Sequence, residues 1–202
     1  IGRETRAGVA AEIEKLRYRA YELERGLTLA VGTGRAPQWA LCVLITSSMC
    51  DHMSWEQVAR EAIAGGADCL QLREKDLDSG ALLERARRTV AIAREHAGGK
   101  VWVIVNDRPD IAMLSGADGV HVGQTDLSIR DVRKLAGGAL IVGISTTNMD
   151  QARQAAREGA DYCGLGPMFP TTTKHKPAIA GPAYVREYLS DSMTAGIPHL
   201  AI

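Results

Sequence analysis

The chain has 202 residues, 46% of them hydrophobic and 24% charged, enough to bury the core of one domain. Its 24 basic and 24 acidic residues cancel, which removes the field that would draw in nucleic acid or an anionic membrane surface. No stretch approaches the length of a membrane span, and four scattered cysteines without a Cys-x-x-Cys pair argue against a disulfide framework or zinc site and fit a reducing cytoplasm.

The first residues, Ile1-Gly-Arg-Glu-Thr-Arg6, carry charge where a signal peptide has an apolar core, and the missing initial Met suggests a fragment. Val9, Ile13, Leu16, Ala20, Leu23 and Leu27 then recur at alternating four- and three-residue steps, with Glu12, Glu14, Lys15, Arg17 and Arg19 between them. This spacing predicts an amphipathic helix with a narrow apolar stripe. Such a helix either joins another copy or domain, or lies on its own globule. Gly32-Thr-Gly-Arg-Ala-Pro37 reads as a linker, so residues 1–38 are set apart from a domain over 39–202.

From Ala40 onward strands and helices alternate. Strands are predicted at 42–46, 68–73, 101–106, 118–122, 140–145, 161–164 and 197–202. Helices are predicted at 54–64 with Ser54 as N-cap, and at 79–96, 110–115, 128–136, 149–158 and 182–189. One join recurs: Gly65-Gly-Ala-Asp68, Ser115-Gly-Ala-Asp118 and Glu158-Gly-Ala-Asp161 each end a helix on Gly and open a strand on Asp. Repeated βα units predict a parallel sheet, and their number favours a (β/α)8 TIM barrel over an open sheet. No G-x-G-x-x-G follows the first strand, which counts against a dinucleotide fold. Seven strands are read before Ile202, so the last βα unit of the barrel is expected to be missing and the barrel to carry an N-terminal helical extension.

The chemistry concentrates just after strand ends. Gly164-Leu-Gly-Pro-Met-Phe-Pro-Thr-Thr-Thr-Lys174 combines backbone-bending residues with hydroxyls and an ammonium, and contains no carboxylate. It reads as a phosphate-binding loop, or else as a polar strand-to-helix turn. Strand alternation puts Gln71 and Arg73 on one face, with Lys75 beyond them, and sends Leu70 and Leu72 to the other. Two cations inside a barrel need an anion, either a ligand at the carboxyl rim or a structural ion-pair layer. Asn106, Asp107 and Asp110 end the next strand, and Asp126 follows its neighbour. Asp107 and Asp126 suit Mg²⁺ shared with a pyrophosphate; the competing role for Asp107, Asp110 and Asp126 is helix capping, which suits Asp110 better than Asp107. His121, within a strand and without a second His, reads as a buried hydrogen-bonded imidazole. Ser145 closes Ile141-Val-Gly-Ile-Ser145 as a phosphate-facing hydroxyl or a simple turn serine.

Five segments in one order resemble the thiamine-phosphate synthase family: Gln71-Leu-Arg-Glu-Lys75, Asn106-Asp107-Arg108, Ala117-Asp-Gly-Val-His-Val-Gly-Gln-x-Asp126, Gly143-Ile-Ser145 and Gly164-x-Gly-Pro-x-Phe-Pro-Thr-x-Thr-Lys174. The resemblance spans about 41–202. It implies a barrel that joins 4-amino-5-hydroxymethyl-2-methylpyrimidine diphosphate to hydroxyethyl-thiazole phosphate, releasing pyrophosphate with the help of Mg²⁺. By that resemblance the run Gln71, Arg73 and Lys75, with Asn106, Ser145 and Lys174, binds the pyrimidine diphosphate. Asp107 and Asp126 hold Mg²⁺, and Thr171, Thr172 and Thr173 touch the thiazole phosphate. Arg73, Lys75, Ser145 and Lys174 are the residues expected to act on the leaving group.

Two departures stand out against the family: the front helix, and an end at Ile197-Pro-His-Leu-Ala-Ile202 without the eighth unit that would complete the thiazole-phosphate pocket. A related thiazole tautomerase uses a His two residues beyond the Gly-x-Ser serine, where this chain has Thr147. A non-catalytic module that binds the precursors is the third reading, with the front helix as a route to a homo-oligomer.

Overall fold

The computed structural model describes isolated helical positions between residues 8 and 23, and then residues 39–97, 101–170 and 179–202. In the front segment Val9, Ile13, Leu16 and Leu23 are helical and between 45% and 68% exposed. Leu27 and the linker at 32–37 lie outside the described residues.

Seven strands form one parallel sheet in chain order. They are β1 (Cys42–Ile45), β2 (Cys69–Leu72), β3 (Trp102–Asn106), β4 (Gly119–Val122), β5 (Ile141–Thr146), β6 (Tyr162–Leu165) and β7 (His199–Ala201). Six helices are described beside them: α1 (Trp55–Ala64), α2 (Ser79–Ala97), α3 (Pro109–Ser115), α4 (Ile129–Ala136), α5 (Met149–Glu158) and α6 (Gly181–Ser190). A short 3₁₀ turn, Ser47–Met49, follows β1. The result is an α/β half-barrel, with the seven strands that the sequence predicts.

Alternation divides the sheet into two faces. Leu72, Val103, Val105, Val120, Val122, Val142, Ile144, Cys163 and Leu165 point outward into one core with Leu82, Ala86, Ile111, Ile129, Val132, Ala152 and Tyr188 of the helices. Leu70 and Ile45 join Ala59 and Ile92 in a second, smaller cluster. Each such side chain removed from water contributes about 1.5–3 kcal/mol, which makes this layer the main source of stability. The concave face keeps its polar residues for the site.

The recurring Gly-Ala-Asp joins have a physical basis. Gly116 and Gly159 cap their helices at φ +72° and +83°, and Gly66 sits at +93°, conformations that L side chains rarely adopt. The Asp then turns its carboxylate onto the amino end of the preceding strand. Asp68 Oδ2 accepts from the N–H groups of Ala40 (2.7 Å) and Leu41 (2.9 Å). Asp118 and Asp161 accept from Val103 and Val142 N–H, both at 2.7 Å. Arg94 of α2 pairs with Asp118, and the buried Arg133 of α4 pairs with Asp161. Each arginine also donates to the carbonyl just before the next strand, Val101 or Leu140. All three aspartates therefore sit just before their strands rather than inside them, as the sequence pattern alone had placed them.

Two capping expectations are corrected. The N-cap position of α3 is Arg108, which makes no side-chain cap, and Asp110 is clasped in the first turn by that same arginine at 2.6 and 2.8 Å. Asp126 does not cap α4; Ser128 does, accepting from Asp131 N–H. Ser54 caps α1 as predicted, in a reciprocal box with Gln57.

Candidate active site at the carboxyl ends of the strands

A cavity of about 570 Å³ opens at the carboxyl end of the sheet, lined from all seven strands or the turns that follow them. Its lining is apolar toward the two edges of the sheet, with Leu44, Met49 and Val58 on the β1 side and Pro167, Phe169 and Ile202 on the β6–β7 side. Across β2–β5, between those edges, it is polar and carries Gln71, Arg73, Asn106, His121 and Ser145. An apolar slot with a few convergent polar groups suits a flat heterocycle bearing an anionic arm.

Gln71 is buried and lines the cavity beside Arg73, on the face the alternation predicts. The Arg73 backbone is tied to β1, its N–H donating to Ile45 O at 2.8 Å and its carbonyl accepting from Thr46 Oγ1 at 2.8 Å. Between Arg73 and Lys75, Glu74 turns away from the cavity. Its carboxylate, buried at the side chain, pairs with Arg85 at 2.8 Å and accepts from Ser47 N–H at 3.0 Å. Arg85 in turn lies 5.2 Å from the centre of the Trp55 ring. Glu74 thus pins the Ser47–Met49 turn that forms part of the apolar lining. The sequence reading gave Glu74 no role of its own, because its partners Arg85 and Ser47 lie 11 and 27 residues away.

Lys75 is paired with Asp107. Asp107 has φ +62° and is the sole non-glycine with positive φ among the described residues. Such a backbone costs of order 1–3 kcal/mol and persists where the surroundings enforce it, often at a functional site. The Asp107 carboxyl is held above the usual range, first by burial and then by a hydrogen-bonding contact with Asp126, against the pull of Lys75. The pair expected from adjacent loops is therefore in contact. Asp126 also accepts from Gly123 N–H at 2.7 Å, closing its own turn.

Ser145 Oγ lies 2.9 Å from His121 Nε2, and His121 Nδ1 lies 2.9 Å from the Tyr162 hydroxyl. His121 is buried and hydrogen-bonded, as expected, but it also lines the cavity. Thr171, Thr172, Thr173 and Lys174 lie outside the described residues, which resume at Ile179. Gln71, Arg73, Lys75, Asn106, Asp107, Asp126 and Ser145 all stand at this one rim. No helix among the described residues is long and apolar enough to cross a membrane.

Known proteins resemble this chain in sequence and fold. A thiamine-phosphate synthase of Shouchella clausii is 44% identical over 149 residues, 72% of this chain and 68% of that protein. One from Rhodopirellula baltica is 37% identical over 200 residues, 96% of this chain but 52% of that protein. The chain spans about half the length of several curated relatives that it matches. Among solved structures, a thiamine phosphate pyrophosphorylase from Pyrococcus furiosus superposes with a TM-score of 0.68 at 30% identity, covering 80% of this chain and 74% of that one. The sequence model described as thiamine monophosphate synthase matches residues 42–202. With most of its length inside that match, the chain belongs to the thiamine monophosphate synthase family.

Proposed function

We propose that the protein couples 4-amino-5-hydroxymethyl-2-methylpyrimidine diphosphate to hydroxyethyl-thiazole phosphate, forming thiamine phosphate and pyrophosphate. The observation that carries this reading is the mixed lining of the cavity, apolar residues at the sheet edges and Arg73, Asn106 and Ser145 between them, with Lys75 and the Asp107–Asp126 pair at its rim.

The pyrimidine ring would occupy the slot along Leu44 and Met49, with Gln71 offering its amide to a ring edge. Its diphosphate would extend toward Arg73 and Lys75. The C–O bond to the diphosphate breaks, the bonding pair leaves with pyrophosphate, and the thiazole nitrogen forms the new C–N bond. Negative charge grows on the leaving group as this happens. Fixed cations and hydrogen-bond donors therefore bind the transition state better than the ground state. Asn106 and Ser145 would supply donors, and Lys174 and the threonines 171–173 are assigned by resemblance to the two phosphates. The thiazole nitrogen is already a nucleophile and needs no general base, so the enzyme mainly positions and screens.

Asp107 and Asp126 would hold Mg²⁺. Their fit rests on two hard carboxylates in contact, one resisting ionisation, beside a surface suited to phosphate oxygens. When bound, the metal supplies positive charge to the departing pyrophosphate.

The half-barrel seen in residues 39–202 supports a complete (β/α)8 barrel in the whole protein, with 1–38 as a separate helical extension. The exposed stripe of that extension supports pairing with a second copy. Balanced charge and free cysteines support a cytoplasmic enzyme without nucleic-acid or membrane partners. The decisive test is to incubate the chain with both precursors and measure thiamine phosphate and pyrophosphate, with Mg²⁺ and with chelator. Equal release of both products, dependent on Mg²⁺, is expected. Pyrophosphate release without thiamine phosphate would overturn the coupling, and full activity in chelator would overturn the metal assignment.

A further inference from the structure

Three consecutive strands put His121, Gly143 and Tyr162 in one register row. Gly143 is the middle member, and it has no side chain for a reason. A Cβ there would come within 2.0–2.1 Å of the Tyr162 ring and 2.6 Å of its hydroxyl. The phenol therefore crosses β5 through the space above Gly143 and reaches His121 on β4, with ring centres 5.4 Å apart. Trp39 seals the far side of the phenol in an edge contact at 4.9 Å. Next in the row above, Gly164 opposes Ser145, and a Cβ on Gly164 would come 3.1 Å from His121 Cε1. Two glycines thus make room for one imidazole and one phenol.

The hydrogen bonds in this row have a direction. Tyr162 is buried, which raises its pKa and keeps its hydroxyl protonated, so its O–H needs an acceptor. His121 Nδ1, 2.9 Å away, is placed to accept from that O–H. An imidazole that accepts at Nδ1 carries its proton on Nε2, and Nε2 lies 2.9 Å from Ser145 Oγ. Ser145 Oγ, accepting from Nε2–H, is then left with its own O–H to donate into the cavity.

We propose that Tyr162 and His121 form a polarised hydrogen-bond relay that holds the Ser145 hydroxyl as a donor aimed at an anion in the cavity. His121 and Tyr162 are positioning residues, and no proton need leave the chain. The opposite polarity would make Ser145 an acceptor, facing a phosphate with a lone pair. The relay deepens the proposed function, since it takes the ligand to be a phosphate-bearing precursor.

The test has a structural arm and a binding arm. In ¹⁵N-histidine-labelled chain without ligand, long-range ¹H–¹⁵N spectra read the His121 ring. A neutral ring protonated at Nε2 is expected, with Tyr162→Phe giving a mixture or the other tautomer. A ring protonated at Nδ1 in the unaltered chain would overturn the relay. Inorganic pyrophosphate with Mg²⁺ is then titrated calorimetrically. Ser145→Ala and Tyr162→Phe should each weaken binding about tenfold, the size of one hydrogen bond, and the double variant should be no weaker than Ser145→Ala alone. Independent, additive losses would overturn the relay by showing a merely structural phenol. Both arms read the relay without turnover. If the relay holds and no thiamine phosphate forms, the proposed reaction is what fails.

Discussion

The two ends of the sheet use the same residue type in opposite ways. At the amino end, Asp68, Asp118 and Asp161 each place a carboxylate on backbone N–H groups of the neighbouring strand, and two of them add an arginine from the helix that leads into that neighbouring strand. At the carboxyl end, Asp107 sits on a left-handed backbone with its carboxyl against Asp126 and resists ionisation. One set of carboxylates is satisfied by the fold, and the other is left partly frustrated by it. Local conflict tolerated inside an otherwise consistent structure marks a site kept for a ligand. The contrast predicts that the amino rim governs stability and the carboxyl rim governs activity.

The strongest test is Asp161→Ala. It leaves Arg133, with 4% side-chain exposure, without its carboxylate. Breaking such a buried pair costs about 3–5 kcal/mol. A fall of that size in denaturant unfolding is expected, with near-normal activity in the fraction that remains folded. A loss of activity without a loss of stability would break the comparison.

Asp107→Asn should do the reverse. Asn tolerates the left-handed backbone, so the variant keeps the loop while removing the charge. Turnover is expected to fall about 10²–10³-fold, the usual cost of removing one preorganised charge-stabilising contact. The unfolding midpoint at neutral pH should stay level or rise. A lower midpoint would place Asp107 among the scaffold residues instead.

A pH titration of stability sharpens the same point. Because the folded-state value of Asp107 lies above the ordinary carboxylate value, the folded chain holds this proton more tightly than the unfolded one. Its contribution is fully present below the unfolded value and is lost as pH rises through the raised folded value. In chelator-treated protein, stability should therefore decline across that window, and the decline should be smaller in Asp107→Asn. An identical pH profile in both chains would contradict the assignment.

Gly159→Ala is the mildest change. It forces a side chain into φ +83°, costing about 1–2 kcal/mol at the amino rim, with the cavity untouched. A thermal melt should register it, and kinetic constants should not.

Much of this division was legible before any coordinates. Strand order, six helices and the placing of Gln71, Arg73, Asn106 and Ser145 at one rim follow from alternation and spacing, because buried parallel strands leave few other arrangements. The Asp107–Asp126 pair was also readable, since adjacent parallel strands bring their following turns together. What escaped was pairing set by side-chain reach. Alternation sends Glu74 to the helix face with Leu70 and Leu72, but nothing in the sequence names Arg85 and Ser47 as its partners. Tyr162 carried no reading beyond its place in a predicted strand, and its route to His121 depends on an empty position on a strand between them. A glycine two residues before a rim serine was the available signal, and its meaning needs the register of three strands at once.

The aspartate contacts at the amino rim also act as a ruler. Asp118 holds the chain at Val103 and Asp161 holds it at Val142, and in each strand the cavity residue, Asn106 or Ser145, lies three positions further on. At the rise of a parallel strand that is a rod of about 10 Å, too short to bend much. Fixing one end of each rod at a named amide sets the height of the functional group at the other. Catalytic alignment at the mouth of the cavity is thereby calibrated from the far side of the molecule, and a slip of one residue at an aspartate would lower a hydroxyl or an amide by a full strand step.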